Sequence, residues 1–333
     1  MKRVKEALEK LSEKGLECGV ITKPENIYYL TGVFPSAFSV LLLKEDPLLY
    51  LSKMDSHIKN IDIETRIVEN FKKELKIPFK KVGVEEDSLS FRFYKTYLKG
   101  KKIDNLDFLI EMRRKKDNKE LKNIKKALNI AEKCLEEVFY MIEEGKTEME
   151  ISAYILSFIR KKADIAFMPI VASGRNSSIP HHSPTKRKIK SKDAIIIDLG
   201  AKVNYYNSDI TRTVSLDPSE KFLELYAIVL EAQKQAINEC YAGNEIKKAE
   251  EKAREVLKEY GVEEYYLHAC GHGIGLEVHE YPKISKNSKE TFEEGMVVTV
   301  EPGIYKSFGI RIEDMVLVGK KPKILSRLGK VLP

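Results

Sequence analysis

The sequence predicts a mixed α/β protein (α+β) of two domains, and three observations carry that expectation. At 333 residues the chain exceeds one ordinary domain of about 100 to 200 residues. Apolar residues recur at helical spacing in some stretches and form short β-branched runs in others. Beyond residue 113, an order of two helices followed by strands occurs twice.

The first domain is expected over 1–113, where the two periodicities alternate. Val4, Ala7, Leu8 and Leu11 form a helical stripe closed by Gly15, and Cys18 to Thr22 reads as a buried strand. Strands at Ser39 to Leu43 and Leu48 to Leu51 flank Glu45, Asp46 and Pro47, which is turn chemistry. Lys81 to Val84 reads as a strand and Leu89 to Leu98 as a helix, while PENIYYLTG at Pro24 to Gly32 reads as either a packing turn or a substrate contact. This domain carries no catalytic constellation.

A solvated charge run at Arg113 to Lys119 marks the boundary, so the second domain is expected over 114–333. Asp117 with Glu120 reads as a capping box, and Leu121, Ile124, Leu128, Ala131, Leu135, Val138 and Ile142 continue it as a long apolar helical stripe. Thr147 and Glu150 cap a second helix with Ile151, Tyr154, Ile155 and Phe158 inward. Downstream, Phe222 to Tyr241 and a helix ending at Tyr260 repeat the pair, which suggests a duplication.

Composition narrows the function. No apolar run reaches the roughly 18 residues a membrane helix needs, and the amphipathic start MKRVKEALEKLSEKG is no signal peptide, so a cytoplasmic protein without membrane contact is expected. Cys18, Cys134, Cys240 and Cys270 lack metal-binding spacing and read as free thiols. The net charge of +7 comes with basic clusters at Arg113 to Lys116 and Lys186 to Lys192, but no aromatic residues interleave them for base stacking. No nucleic-acid partner is expected.

The chemistry concentrates in three stretches. HACGHGIGLEVHE, His268 to Glu280, offers three imidazoles in an apolar, glycine-rich frame. IIIDLGAKVNYYNSDITRTV carries Asp198 and Asp209, and VVTVEPGIYKSFGIRIEDMVLV carries Glu301 and Glu313. If each of the last two folds back at its middle, near Val203 and Asn204 in one and Ser307 in the other, each carboxylate pair becomes a cross-strand pair. Crowded like charges in an apolar frame repel, and divalent cations joined by an imidazole such as His272 would reconcile them.

Asp198, Asp209, His272, Glu301 and Glu313, in that order, resemble the metal ligands of the pita-bread metallopeptidases, the family of Xaa-Pro dipeptidase (prolidase), aminopeptidase P and methionyl aminopeptidase. YNSDITRT at Tyr206 to Thr213 and RIED at Arg311 to Asp314 resemble the prolidase and aminopeptidase P branch. The N-terminal third also resembles that branch's small creatinase-type α/β domain. The resemblance therefore implies a creatinase-like domain followed by a pita-bread (creatinase/aminopeptidase) domain whose halves meet about a pseudo-two-fold axis.

It also implies an activity, the hydrolysis of the Xaa-Pro bond of dipeptides. Two divalent metals per subunit are implied, manganese or cobalt first and iron or zinc next. Asp198 would chelate one, His272 and Glu301 the other, and Asp209 and Glu313 would bridge, with a metal-bridged hydroxide as nucleophile and Glu301 as proton shuttle. His279 is similar to the family's second, non-ligand histidine, and His181 to the outer histidine of the prolidase branch. Two positions depart from the pattern: the glycine usual after the outer histidine is His182, and the arginine expected to meet the substrate carboxylate is Lys283. Arg311 would order Tyr206 or the metal bridge, and His268 reads as structural. A homodimer acting on small peptides with proline second is implied. The alternatives are an aminopeptidase P acting on longer peptides, a metal-free amidinohydrolase, and a non-catalytic binding module of the same fold.

Overall fold

A computed structural model describes residues 2–59 and 61–330. The chain divides into two compact units, the first ending at Arg113 and the second beginning at Arg114.

In the first unit a six-stranded mixed sheet is ordered Glu64–Val68, Leu48–Ser52, Val40–Leu43, Cys18–Ile21, Lys81–Val84, Lys102–Asn105. Its centre is apolar and fully buried, and both edge strands carry exposed polar residues, as edges that avoid further pairing do. The first helix, Lys2–Glu13, buries Val4, Ala7 and Leu11. PENIYYLTG is a helix, Pro24–Thr31, rather than a turn: Pro24 sits in the first turn where its missing N–H is harmless, and Gly32 ends it at φ 75°. The helix expected from Leu89 to Leu98 is a single turn, Phe91–Phe93, running into a π-helical turn, Tyr94–Leu98.

The second unit repeats one order of elements. Helices Asn118–Met141 and Glu148–Arg160 precede the strands Ile170–Ser173, Ile195–Leu199 and Ile210–Val214; helices Glu220–Asn238 and Lys247–Glu259 precede Gly271–Gly273, Glu280–Ile284, Val297–Val300 and Asp314–Leu317. The capping boxes at Asp117/Glu120 and Thr147/Glu150 are both formed. The apolar faces of the later helix pair, including Val229, Ala232, Ala236, Ala253 and Leu257, pack with Val298, Val300, Ile310 and Val316.

One helix-to-sheet tie is polar. Glu148 opens its helix, is fully buried, and accepts hydrogen bonds from the Ser173 amide and hydroxyl, both at 2.8 Å. Burial raises the pKa of such a carboxyl, but donors led by Thr185, His182 and Ser173 outweigh it and bring the value from the usual 4.5 to about 2. A lowered folded-state pKa adds stability above the unfolded value and loses it as pH falls through the folded one. Glu148→Gln is therefore expected to reduce stability by about 3 kcal/mol at pH 7. In denaturant titrations the wild-type advantage should shrink below the ordinary carboxylate pKa and vanish near the folded value; a pH-independent difference would contradict this.

Candidate metal centre

Two hairpins and one short strand build the centre. The first hairpin turns at Asn204 and Tyr205, whose positive φ values of 48° and 69° suit a tight primed turn. Its register sets Asp198 across from Thr211, and the ladder resumes beyond the break with Lys202 across from Asn207. Asp209 thus lies opposite Gly200, and the two aspartates form a diagonal pair on one face rather than a directly opposed one. Gly200 is needed there, because a β-carbon would strike the Ser208 carbonyl. The second hairpin turns around Ser307, and its register, continuous from Val300 across from Asp314 to Gly303 across from Arg311, sets Glu301 directly opposite Glu313.

His272 sits at the middle of Gly271–Gly273, a strand paired with Glu280–Ile284 on one side and with Val297–Val300 of the second hairpin on the other. The Glu301 amide donates to the Cys270 carbonyl at 2.8 Å and the His272 amide to the Thr299 hydroxyl at 3.1 Å. A β-carbon on Gly271 would strike the Thr299 carbonyl, so glycine permits this close approach. The first hairpin is stitched on by Asn207, whose side chain donates to the Gly275 and Leu276 carbonyls at 2.9 Å each.

Two buried arginines join the hairpins. Arg212 donates to the Glu313 carbonyl at 2.6 Å and pairs with Asp314 at 2.9 Å. Arg311 pairs with Asp198 at 2.7 Å and donates to Thr211 Oγ1, the Tyr305 hydroxyl and the Pro180 carbonyl at 3.2, 3.1 and 3.1 Å. The Tyr206 hydroxyl donates to Glu120 at 2.9 Å. Asn207, Thr211, Thr299 and Tyr305 lie within the YNSDITRT and VVTVEPGIY strings, but only the register reveals their partners.

All eight candidates line one cavity of about 750 Å³: Asp198, Asp209, His272, Glu301, Glu313, His181, His279 and Lys283. Asp209, His272 and Glu313 each present a ligand atom within 4.8 Å of the others. Glu301 joins through His272 Nε2 at 3.3 Å, and Asp198 faces Asp209. The His279 ring lies edge-on to that of His272, 4.4 Å between centroids. His268 also lines the cavity and meets the Tyr305 hydroxyl at 2.8 Å. Lys283 faces His272 across the strand pair.

The electrostatics are those of charges held too close. Burial, then the charges of Glu313 and Asp198, push the Asp209 carboxyl well above its usual range; burial and the charges of Glu301 and Asp198 do the same to Glu313. Asp198 is raised by burial despite Arg311. Glu301 alone goes down, to about 2, because the hydrogen bond and charge of His272 overcome burial. Asp198 Oδ1, Asp209 Oδ1 and Glu313 Oε1 are buried with no hydrogen-bond partner among the described residues. Partnerless oxygens, mutual repulsion and one imidazole form the donor set a hard or borderline divalent metal takes, so these residues fit such an ion.

Comparison with known proteins agrees. Residues 122–320 match the family model described as Metallopeptidase family M24, and residues 3–115 match that of the Creatinase/Prolidase N-terminal domain. A protein named Xaa-Pro dipeptidase from Pyrococcus horikoshii is 38% identical over 335 residues, covering 96% of this chain and 94% of that one. Among solved structures, the prolidase from Pyrococcus horikoshii OT3 aligns with a TM-score of 0.95 at 35% identity over 100% of both chains. The X-Pro aminopeptidase from Thermotoga maritima aligns with a TM-score of 0.90, also at 35% identity, over 99% of this chain and 98% of that one.

Removing one repelling charge should relax the metal-free centre. Asp209→Asn, measured by denaturant unfolding in chelator at pH 8, is expected to be more stable than the wild type by about 1 to 3 kcal/mol. A destabilised variant would mean that the carboxylates are not in conflict.

Proposed function

This chain belongs to metallopeptidase family M24, and from that premise we propose that it hydrolyses the Xaa-Pro bond of dipeptides with two divalent metals held by Asp198, Asp209, His272, Glu301 and Glu313. The enzyme has the family's two-part architecture, a creatinase-type N-terminal domain and a pita-bread domain; we place their boundary between 113 and 114. The observation that carries the reading is the convergence of these five side chains with His181, His279 and Lys283 in one cavity.

The metals, when bound, polarise the scissile carbonyl and activate water. Asp198 is steadied by Arg311 and Glu313 Oε2 is oriented by the Thr211 hydroxyl at 2.7 Å, and with Asp209 they would serve as metal ligands. The Glu301 carboxylate lines the cavity beside His272 and can accept the proton lost by the attacking water. It returns that proton to the proline nitrogen as the C–N bond breaks, so a tertiary amide becomes a free carboxylate and a secondary amine. Burial and the neighbouring His272 lower the pKa of His279, which favours a neutral ring able to donate one hydrogen bond to the carbonyl oxygen. His181 and Lys283 supply the polar end facing the substrate carboxylate, and Phe167, Ile170 and Val278 supply apolar wall for a pyrrolidine ring.

Oxygen-rich ligands favour manganese or cobalt. Four free, buried cysteines suit a reducing cytoplasm, and the sequence resemblance supports a homodimer. The likeness to an X-Pro aminopeptidase favours one second reading, cleavage of longer peptides.

Dipeptides of the Gly-Pro type should be turned over faster than the corresponding Xaa-Pro tripeptides; equal or better tripeptide turnover would transfer the assignment to the second reading. Lys283→Met should raise KM for dipeptides about tenfold, roughly 1.4 kcal/mol of lost pairing, and leave tripeptides nearly unchanged. Asp209→Asn should lose about 1000-fold or more of activity while staying folded, together with its calorimetric signal for manganese.

A further inference from the structure

A carboxylate beyond the proposed metal ligands is bound as completely as any in the fold. Glu148 accepts from six donors: the Ser173 amide and hydroxyl, the Asn176 side chain at 3.0 Å, the Thr185 amide at 2.9 Å and hydroxyl at 2.7 Å, and His182 Nε2 at 3.0 Å. These donors sit on both limbs of the loop that carries His181. With a carboxylate as acceptor, the proton of the His182 ring is on Nε2.

The residue on the other side of His181 is held by a different partner. The Pro180 carbonyl accepts from Arg311, which also grips Asp198. Next to it, the Ser177 hydroxyl accepts from the Gly309 amide at 2.9 Å, where a side chain on Gly309 would strike the Ser177 carbonyl. His181 itself is exposed and lines the cavity. Its two neighbours are therefore fixed to separate anchors, Glu148 at the start of the helix Glu148–Arg160 and Arg311 in the second hairpin, and the ring is carried between them.

We propose that His182, through its hydrogen bond to Glu148, is a positioning residue that sets the His181 ring at the substrate end of the cavity. The proposal rests on the reading of His181 as a substrate-facing group. Where a glycine would leave this turn free, His182 replaces backbone freedom with a side-chain tether. With Glu148 held by five other donors, loss of the tether alone should leave the fold intact.

The test is a double-mutant cycle on the manganese-loaded enzyme with a Gly-Pro-type dipeptide, using His181→Ala, His182→Ala and both together. His182→Ala is expected to lower kcat/KM about tenfold, mainly through KM, with metal content and melting temperature near wild type. The double variant should be no worse than His181→Ala, and His182→Gln, which keeps an N–H donor, should recover most of the loss. In the metal-free protein, His182→Ala should also shift the His181 ring proton resonances by NMR while leaving those of His57 in place. Multiplying losses in the double variant, or full activity in His182→Ala, overturn the proposal. Full activity in His181→Ala instead removes the premise about His181, and that outcome appears in the single variant alone. If His182→Ala proves unstable, a folded His182→Gln with unrecovered kcat/KM is equally fatal.

Discussion

Mutual repulsion among buried carboxylates is the constraint the second unit is built to withstand. Burial and neighbouring charge raise the carboxyls of Asp198, Asp209 and Glu313, and left to themselves such groups would drive their strands apart. What opposes them is backbone: the Glu301 amide on the Cys270 carbonyl, the Glu313 amide on the Thr211 carbonyl at 3.1 Å, and the Asn207 side chain across the glycine-rich loop. Arg212 and Arg311 add positive charge, Arg212 on Asp314 and Arg311 at the cavity on Asp198, and so join the hairpins. The strands are tied by these bonds while Asp198 Oδ1, Asp209 Oδ1 and Glu313 Oε1 keep no hydrogen-bond partner among the described residues, so a divalent ion would gain attraction from ligands already held in place.

The two hairpins answer this constraint differently. Direct opposition of Glu301 and Glu313 uses long side chains that can diverge from a shared register position. The shorter aspartates are offset diagonally, and the position opposite Asp209 is Gly200, where any side chain would collide with the strand next to it. A direct Asp–Asp pair would hold two short carboxylates at the closest cross-strand spacing with no freedom to turn away. Side-chain length and register thus compensate for each other, and two unlike pairings present a comparable set of oxygens.

Much of this was legible in the sequence because it depends on local signals. Both capping boxes, the long stripe from Leu121 onward and the buried apolar strands are written in adjacent residues, and the ligand candidates stand out as acids inside β-branched runs. The edge strands Glu64–Val68 and Lys102–Asn105 were missed for a physical reason: solvent-facing edges carry charged residues that hide the strand period. The Pro24–Thr31 helix was missed because proline and glycine at its ends read as punctuation of a turn, although both are favourable helix termini. The diagonal offset of the aspartates could not be foreseen, since it depends on how many residues the turn at Asn204 and Tyr205 consumes. Nor could Glu148 be found, with partners 25 to 37 residues away and no periodicity linking them.

Glu148 also supplies the comparison that separates a ligand carboxylate from a structural one. Both kinds are buried acids in the same unit, and composition cannot distinguish them. Glu148 has both oxygens saturated by donors, and its pKa falls to about 2; a cation there would have to displace bonds already made. Asp209 and Glu313 each keep a buried oxygen without a hydrogen-bond partner among the described residues, and repulsion raises their pKa values. The first arrangement is a closed anchor and the second an open one, and only the open one has free energy to gain from a metal. The lining of the cavity holds both: the open acids stand on stitched strands, while His181 rides on a loop fastened by a closed acid. On the proposed assignment, metal affinity and substrate fit fall to separate sets of side chains, so histidine in place of glycine at position 182 bears on the His181 loop and not on the metal ligands.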